Sequence, residues 1–402
     1  MAGRSPGRVK YETDGLPGFR VAIEPPDRDE NTHKEPSQGI LTPAQRGSAA
    51  TRKPGSMALP LMGMGSDGAR MIQDARVLQD DHLPREIVHR HEEMSQLATA
   101  LEPVVEGDRP QHALLTGPSG AGKTCIARAT LDRLQEQVLD VHTAHVDCWL
   151  HPNDFRILYK LLESLGNTYD IHRSTPHDEL LERLGEVDKP YLIVLDEADQ
   201  IDDPDLLRRL YGIPHVTMIL VTNHERDLFS PLDERLHSRL RSSDTIEFDR
   251  YTDEELISIL SDRVEWGLAE GAVTNDQLER LADAACGNAR DAISMLRSAA
   301  RHAEQAGNER IRGSDIDEAI PAAKAELRQK SLDRLTHDQL AVYQVLRDAG
   351  ELMPKEITTR YEQRVDDPKS KRTVRKYLRK LEQYNLVESA GSGPSKVYET
   401  IE

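Results

Sequence analysis

The chain has 402 residues, 37% of them hydrophobic, and a formal net charge of -18, so it is long enough for two or three folded domains. It holds no apolar run near the ~20 residues of a membrane span and no signal-peptide core in its first thirty residues, which excludes a membrane protein and leads us to expect a cytoplasmic one. Its 3 scattered cysteines exclude both a disulfide framework and a zinc cluster.

Residues 1–70 are predicted to form a disordered tail. Residues 1–56 contain seven Pro, seven Gly and four Ser and show no apolar periodicity. Such a segment cannot bury enough apolar surface to offset the entropy lost on ordering. The alternative is that translation starts at a later methionine, namely Met57, Met62, Met64 or Met71.

Residues 75–248 predict an α/β domain. Short apolar runs indicate buried strands, and amphipathic helical patterns lie between them. This alternation predicts a parallel sheet with helices on both faces. The predicted strands are 112–117, 191–196 and 216–223, and the clearest predicted helices are 124–138 and 178–185.

Residues 249–330 carry only helical patterns and predict an all-helical lid. Residues 57–330 hold a net charge of about -21, and the whole chain has 14 lysines against 38 arginines. An acid-rich, lysine-poor surface is typical of proteins kept soluble at very high salt, which indicates a halophile. The predicted helices are 252–265, 274–285, 288–305 and 313–328.

The stretch "GPSGAGKT" fits the phosphate-binding pattern G-x-x-x-x-G-K-[ST] between a strand and a helix. Glycines leave backbone N–H groups free to surround phosphates, and the helix N-terminus adds a favourable dipole. Lys123 is expected to neutralise the β- and γ-phosphates of ATP or ADP, and Thr124 to offer a hydroxyl to Mg²⁺. The residues predicted to bind phosphate are Gly117, Pro118, Ser119, Gly120, Ala121, Gly122, Lys123 and Thr124.

The stretch "YLIVLDEAD" supplies the second half of this site. Its buried strand brings Asp196 to the carboxyl edge of the sheet, where ligands bind in open α/β folds. Asp196 is predicted to hold Mg²⁺ together with Thr124, and Glu197 to polarise an attacking water. ATP binding is therefore expected, whereas hydrolysis is left as a weak, Mg²⁺-dependent activity.

Three later features occur in the order that this site requires. Asn223 ends a strand and is placed to orient water, and Arg239 or Arg235 is a candidate arginine finger for a neighbouring subunit. Arg290 opens a lid helix and is expected to reach the γ-phosphate in cis. Each feature alone is typical of an ordinary surface residue, but in this order they resemble the AAA+ ATPase family, with Asn223 as sensor one and Arg290 as sensor two.

Residues 331–402 predict a winged helix-turn-helix domain. Helical patterns at 337–348 and 354–363 precede a basic helix at 370–383, and a Gly/Ser/Pro-tipped hairpin follows. An apolar stripe on the basic helix leaves its cations for the rest of the surface, where double-stranded DNA is the expected partner. The predicted DNA contacts are Lys371, Arg372, Arg375, Lys376, Arg379 and Lys396, and Lys380 is expected on the same exposed surface.

The order of ATPase, lid and winged helix over residues 75–402 resembles the archaeal origin-recognition and cell-division-control (Orc/Cdc-type) replication initiators. Within it, "DHLPREIVHRHEEMSQL" resembles the entry motif of that family, which implies that Leu83, Pro84 and Arg90 line the adenine pocket. We expect Tyr211 to contribute to the nucleotide site as well. Arg156 and Lys160 fall where the family has an extra DNA-contacting helix, although an ordinary core helix is the preferred interpretation there.

The resemblance implies a nucleoid-associated initiator that binds origin DNA and helps to load the MCM helicase. ATP would act as a conformational switch with slow turnover, and a homo-oligomer could form on DNA. Asn288 stands where the family commonly has an acid, so the usual local salt link is in doubt. The alternatives are an ATP-switched DNA-binding regulator, a plasmid or mobile-element replication protein, and a clamp-loader-like ATPase, which normally ends in a helical collar instead.

Overall fold

The computed structural model describes residues 70–84, 86–105, 111–137, 140–241, 243–391 and 396–401. Its centre is a five-stranded parallel sheet with the strand order β2-β3-β4-β1-β5. Since all five strands run in one direction, their carboxyl ends meet at one edge, where Asp147 pairs with Asp196 and Thr116 with Thr222. The strands are β1 (Ala113–Thr116), β2 (His142–Asp147), β3 (Tyr191–Asp196), β4 (Val216–Thr222) and β5 (Asp244–Glu247).

Helices cover both faces of the sheet. Alternate residues of a strand point to opposite faces, so Ile193 and Leu195 enter one apolar core while Leu192 and Val194 enter the other. Burial on both faces explains why the central strands are continuous apolar runs. We call this α/β domain, the sheet with its covering helices, the base. Its helices are α1 (His91–Val105), α2 (Lys123–Gln137), α3 (Asp154–Ser164), α4 (His177–Gly185), α5 (Asp205–Tyr211), α6 (Glu225–Phe229) and α7 (Glu234–Leu240).

The lid is a separate helical layer with its own core. Its first helix begins with a capping box in which the Thr252 hydroxyl accepts from the Glu255 N–H and the Glu255 carboxylate accepts from the Thr252 N–H. Met71 and Leu78, which precede the base in sequence, also pack into this lid core. The lid helices are α8 (Asp253–Gly267), α9 (Asn275–Ala285), α10 (Ala289–Gln305) and α11 (Gly313–Asp333).

Helix α11 leads into three helices and an antiparallel hairpin, an arrangement consistent with a winged helix-turn-helix. Val374, Leu378 and Leu381 of the third helix are buried in the core of this unit, and Ser370 accepts a hydrogen bond from the N–H of Thr373 as its N-cap. The elements are α12 (His337–Ala349), α13 (Pro354–Arg364), α14 (Lys371–Gln383), β6 (Val387–Ala390) and β7 (Val397–Thr400).

The predicted fold class is confirmed, with two omissions in the sheet. Strands β2 and β5 were missed because they lie at the two edges and carry exposed, polar residues that break the apolar signal. The disordered tail was predicted for residues 1–70, of which 1–69 lie outside the described residues, as do the tip residues 392–395 of the predicted hairpin.

Candidate nucleotide-binding site

The loop from Gly117 to Thr124 joins β1 to the N-terminus of α2 and needs its glycines. Gly117 and Gly120 have φ angles of +144° and +75°, in the region that side chains rarely adopt. A Cβ on Gly117 would collide with the backbone of Phe248, and one on Gly120 would collide with the side chain of Asn288 in the lid. The loop is therefore closely packed between the base and the lid, with its backbone at a helix N-terminus.

Lys123, the first residue of α2, is buried, and its side chain folds back onto the loop. Its Nζ donates to the carbonyls of Gly117 at 2.7 Å and Pro118 at 2.8 Å and to Oδ1 of Asn223 at 3.1 Å. Burial lowers the pKa of the ammonium group to about 8, against the opposing charges of Asp196 and Glu197. The predicted lysine and the predicted sensor-one amide thus lie in direct contact across 100 residues of sequence.

Thr124 and Asp196 also meet, with the Thr124 hydroxyl donating to Oδ2 of Asp196 at 2.7 Å. Nε2 of His145, on the neighbouring strand β2, lies 3.4 Å from the same oxygen and was not anticipated from sequence. Burial by itself raises the pKa of Asp196, but the hydrogen bonds with His145 and Thr124 outweigh it and hold the pKa below its usual value. The carboxylate is therefore kept ionised beside a hydroxyl, a pair of oxygen ligands suited to Mg²⁺.

Glu197 follows Asp196 in a left-handed backbone conformation, with φ at +53°. Its Oε2 is buried and has no hydrogen-bond partner among the described residues. Burial, and then the negative charges of Asp199 and Asp196, raise the pKa of its carboxyl to about 8. A carboxyl group whose pKa lies near neutral pH, at the edge of a cavity, has the properties of a general base.

The lid reaches the phosphate loop through the start of helix α10. The N–H of Ala289 donates to the carbonyl of Gly120 at 3.2 Å, and the side chain of Asn288 caps the helix by accepting from the N–H groups of Arg290 and Asp291. Arg290 lines the cavity, and its charge acts on Glu197 and Lys123. Asn288 thus serves as a helix cap at the position where the family that the sequence resembles commonly has an acid.

A cavity of about 720 Å³ extends from the phosphate loop between the base, the lid and the C-terminal unit. Leu83 and Pro84 lie in its wall, as does Tyr251. Gln383 and Tyr384 of the C-terminal unit also reach it, and sequence reasoning gave no indication of that. Predicted residues that the structure brings to this cavity are Leu83, Pro84, Ser119, Gly120, Gly122, Lys123, Thr124, Asp196, Glu197, Asn223 and Arg290.

Arg90 was predicted to line the adenine pocket, but it does not lie in the cavity wall. Its hydrogen bonds and ring contact hold it behind that wall. Its guanidinium pairs with Glu93 at 2.6 Å, donates to the carbonyl of Asp249 at 2.6 Å and lies 4.1 Å from the centre of the Tyr251 ring. Since Tyr251 itself lines the cavity, Arg90 supports the wall from behind.

Tyr211, the predicted additional nucleotide contact, also lies outside the cavity wall. Its ring packs against His112 at a centroid distance of 4.7 Å, and the guanidinium of Arg239 lies 5.5 Å from the ring centre. Arg235 and Arg239 are both exposed on helix α7. Neither arginine lines the cavity of this chain.

Most of the predicted DNA-contacting cations form the exposed face of helix α14. Arg379 lies 3.9 Å from Asp227 of the base, and Lys396, just before strand β7, donates a hydrogen bond to Glu382 of α14. Lys380 is a correction, because it is 8% exposed and its Nζ lies 5.0 Å from the centre of the Trp149 ring. The exposed cations are Lys371, Arg372, Arg375, Lys376 and Arg379.

The remaining DNA candidates lie on helix α3, which packs on the sheet through its buried leucines. Arg156 is exposed, whereas Lys160 is paired with Glu163 on the same helix at 2.5 Å.

Among the described residues, no helix combines the length and the apolar character needed to cross a membrane.

Comparisons with known proteins agree with this fold. A family model for the AAA ATPase domain matches residues 86–221, and one for the Cdc6 AAA+ ATPase-type lid domain matches residues 257–321. The chain is 46% identical over 83% of its length to ORC1-type DNA replication protein 9 of Halobacterium salinarum, covering 94% of that protein. It is also 46% identical to ORC1-type DNA replication protein 1 of the same organism, over 76% of this chain and 100% of that one.

Among solved structures, the chain is similar to the Aeropyrum pernix ORC1 protein in complex with DNA. The TM-score is 0.66 with 25% sequence identity, over 83% of this chain and 94% of that one. The halobacterial source of both curated relatives fits the acid-rich, lysine-poor composition.

Proposed function

The chain belongs to the family of ORC1-type DNA replication proteins, as its motifs predicted, and we propose on that premise that it is an ATP-dependent initiator that binds origin DNA and helps to load the replicative helicase. The observation that carries the proposal is the position of the basic helix α14. The cations on its outer face are exposed to solvent, while its last residue, Gln383, lines the cavity that holds the phosphate loop.

ATP or ADP would bind with its phosphates on the backbone of Gly117 to Thr124 and its base toward Leu83 and Pro84. The fit rests on the glycine conformations of the loop and on the buried ammonium group of Lys123 beside it. Bound triphosphate supplies negative charge, which favours the charged form of Lys123 and offsets the cost of its burial.

Mg²⁺ would be held by Thr124 and Asp196. In the described part of the chain, no group of three or more His, Cys, Asp or Glu side chains could hold a metal ion alone. A cation that keeps several waters and takes phosphate oxygens as further ligands needs only one carboxylate and one hydroxyl from the protein. The 2.7 Å contact between Thr124 and Asp196 provides that pair.

For hydrolysis, we assign Glu197 as the base that accepts a proton at Oε2 from an attacking water, which the Asn223 amide helps to orient. Arg290 stabilises developing negative charge from the lid, and Arg239 or Arg235 does so for a neighbouring subunit in a homo-oligomer. A carboxyl whose pKa is about 8 is mostly protonated at neutral pH, so Glu197 is the free base in only a minority of molecules, which is compatible with slow turnover and with ATP acting mainly as a switch.

DNA would lie along the exposed face of α14, with Lys396 of the hairpin beside it. The related Aeropyrum pernix protein has been solved in complex with DNA. At molar salt the Debye length is about 3 Å, so charge alone contributes little and contacts to base edges must supply more of the binding. A C-terminal unit with a hairpin favours this assignment over a clamp loader.

The test is footprinting of the full chain on DNA flanking its own gene, in molar KCl, with ATP or ADP. We expect discrete repeats to be protected by the parent protein and not by Arg372→Ala/Arg375→Ala. The control, Arg301→Ala/Arg310→Ala, removes two positive charges from the lid. Protection of the repeats by Arg372→Ala/Arg375→Ala would contradict the assignment of α14 as the DNA-contacting helix. Protection of a single promoter site would indicate a regulator. Recruitment of purified MCM helicase to the protected DNA tests the loading step.

A further inference from the structure

The C-terminal end of helix α14 packs against the ATPase base instead of facing outward. Lys380 lies over the ring of Trp149, which follows β2, and Tyr384 stacks on the same ring from just beyond the helix. The guanidinium of Arg334, at the end of α11, lies 5.8 Å from the ring centre. Two cations and an aromatic ring thus hold this end of the helix on one indole of the base.

The last residue of α14 is hydrogen-bonded to the turn that follows the acidic strand. Nε2 of Gln383 donates to Oδ2 of Asp199 at 2.9 Å, and its Oε1 accepts from Nε2 of Gln200 at 2.8 Å. The amide of Gln383 is therefore oriented by two partners on the base, which fixes both its donor and its acceptor.

Asp199 connects this contact to both strands that carry the proposed hydrolytic residues. It lies two residues after Glu197, and its Oδ1 accepts from the hydroxyl of Thr222 at 2.8 Å. Thr222 is the last residue of β4 and immediately precedes Asn223. The Asp199 carboxylate therefore connects the turn that bears Glu197, the strand that leads to Asn223, and the C-terminal unit.

Helix α14 is short and continuous, so its two ends move together. Its 13 residues span about 20 Å at 1.5 Å per residue. The exposed cations occupy the first part of the helix, and Arg379 already lies 3.9 Å from Asp227 of the base. DNA that shifts or rotates the basic face must also shift Gln383 relative to Asp199.

We propose that Gln383 is a positioning residue that transmits DNA binding on α14 to Glu197 and Asn223 through its hydrogen bond with Asp199. The inference rests on the proposed function, because it needs both ATP and DNA as ligands. Gln383 takes no part in the chemistry and acts through Asp199. In binding, such coupling is reciprocal, so DNA changes the affinity for ATP by the same factor as ATP changes the affinity for DNA, whereas the effect of DNA on turnover need not equal that factor.

The experiment measures ATP turnover by the full chain in molar KCl, with and without saturating duplex from its gene flank, alongside separate binding of a fluorescent ATP analogue and of DNA. For the parent we expect DNA to change turnover, and to change the affinity for the ATP analogue by about five-fold or more, the lower range of coupling between binding sites. Gln383→Ala and Gln383→Glu should bring the ratio with and without DNA close to one. Gln363→Ala, an exposed glutamine of α13 in the same unit, should retain the parental ratio.

A donor–acceptor exchange separates positioning from general damage to the fold. Gln383→Glu places two carboxylates opposite each other, and adding Asp199→Asn restores a donor facing an acceptor. The ratio should recover in the double variant, at least in part. Parental coupling in the Gln383 single variants, or no effect of DNA on turnover by a parent that binds both ligands, overturns the inference alone. A parent that binds neither ATP nor DNA overturns the proposed function as well.

Discussion

Asp196 and Glu197 are neighbours in sequence, yet the pKa of the Asp196 carboxyl lies below its usual value while that of Glu197 is raised to about 8. Both side chains are largely buried. Asp196 is hydrogen-bonded to Thr124 and His145, whereas Glu197 faces other carboxylates with one oxygen unpartnered among the described residues. Hydrogen bonding therefore separates a charged ligand from a proton acceptor at adjacent positions.

The first prediction is that Glu197 makes the nucleotide-free parent lose stability relative to Glu197→Gln as the pH rises from about 5 to about 8. The raised pKa means that folded Glu197 retains a proton that the unfolded chain has released. The contribution of Glu197 to the unfolding free energy therefore falls as the pH rises from its unfolded-state pKa, 4.5, to its folded-state pKa of about 8. Glu197→Gln removes this titration and should be more stable than the parent above pH 8 by about 5 kcal/mol at most, since the shift from 4.5 to about 8 is worth roughly 1.4 kcal/mol per pKa unit.

Urea unfolding at pH 5, 6.5 and 8.5 in high KCl measures this difference. Glu182→Gln, which neutralises an exposed carboxylate on α4, serves as the control and should follow the parent. Parallel stability curves for Glu197→Gln and the parent would show that the carboxyl is not protonated in the folded protein.

The second prediction concerns the hydroxyl of Thr124. Thr124→Val keeps the side-chain shape and removes the donor to Asp196, so Mg²⁺ should no longer increase ATP affinity. Thr130→Val is a matched control on the same helix, because Thr130 is buried and its hydroxyl has no partner among the described residues. Titration of a fluorescent ATP analogue with and without Mg²⁺ gives the comparison. An unchanged Mg²⁺ effect in Thr124→Val would remove this residue from the metal site.

The third prediction separates backbone strain from contact between loop and lid. Gly120 and Gly166 have nearly the same φ, +75° and +73°, but a Cβ meets Asn288 at Gly120 and nothing within 4 Å at Gly166. Both alanine variants carry the strain of a left-handed residue, about 1–2 kcal/mol. Gly120→Ala should be the less stable in urea unfolding without nucleotide, since it also displaces the lid cap. Equal losses would mean that the lid does not rest on the loop.

The nucleotide motifs could be predicted from sequence because their residues are consecutive and each flank of the pattern is local. The central strands were also predictable, since burial on both faces makes them apolar throughout. The edge strands β2 and β5 gave no such signal. Contacts between distant residues were invisible for a different reason, since Gln383 and Asp199 are 184 residues apart and neither forms part of a motif.

Individual roles within a recognised pattern were the least predictable. Arg90 occurs in a stretch that resembles a family motif, but its partners Glu93, Asp249 and Tyr251 place it behind the cavity wall. Lys380 has the charge and the helical spacing of a DNA contact, and only the packing of α14 on Trp149 removes it from that face. Tertiary contacts decide which members of a charged run remain exposed.

The fourth prediction uses this difference within one helix. Lys376 and Lys380 are one turn apart on α14, and Lys376 is exposed while Lys380 is 8% exposed. Lys376→Met should weaken DNA binding and reduce the slope of log affinity against log salt by about one phosphate contact, whereas Lys380→Met should leave the slope unchanged. Titrations between 0.2 and about 1 M KCl measure both slopes. An equal decrease in slope for the two variants would mean that α14 leaves Trp149 when DNA binds, and that Lys380 then contacts phosphate.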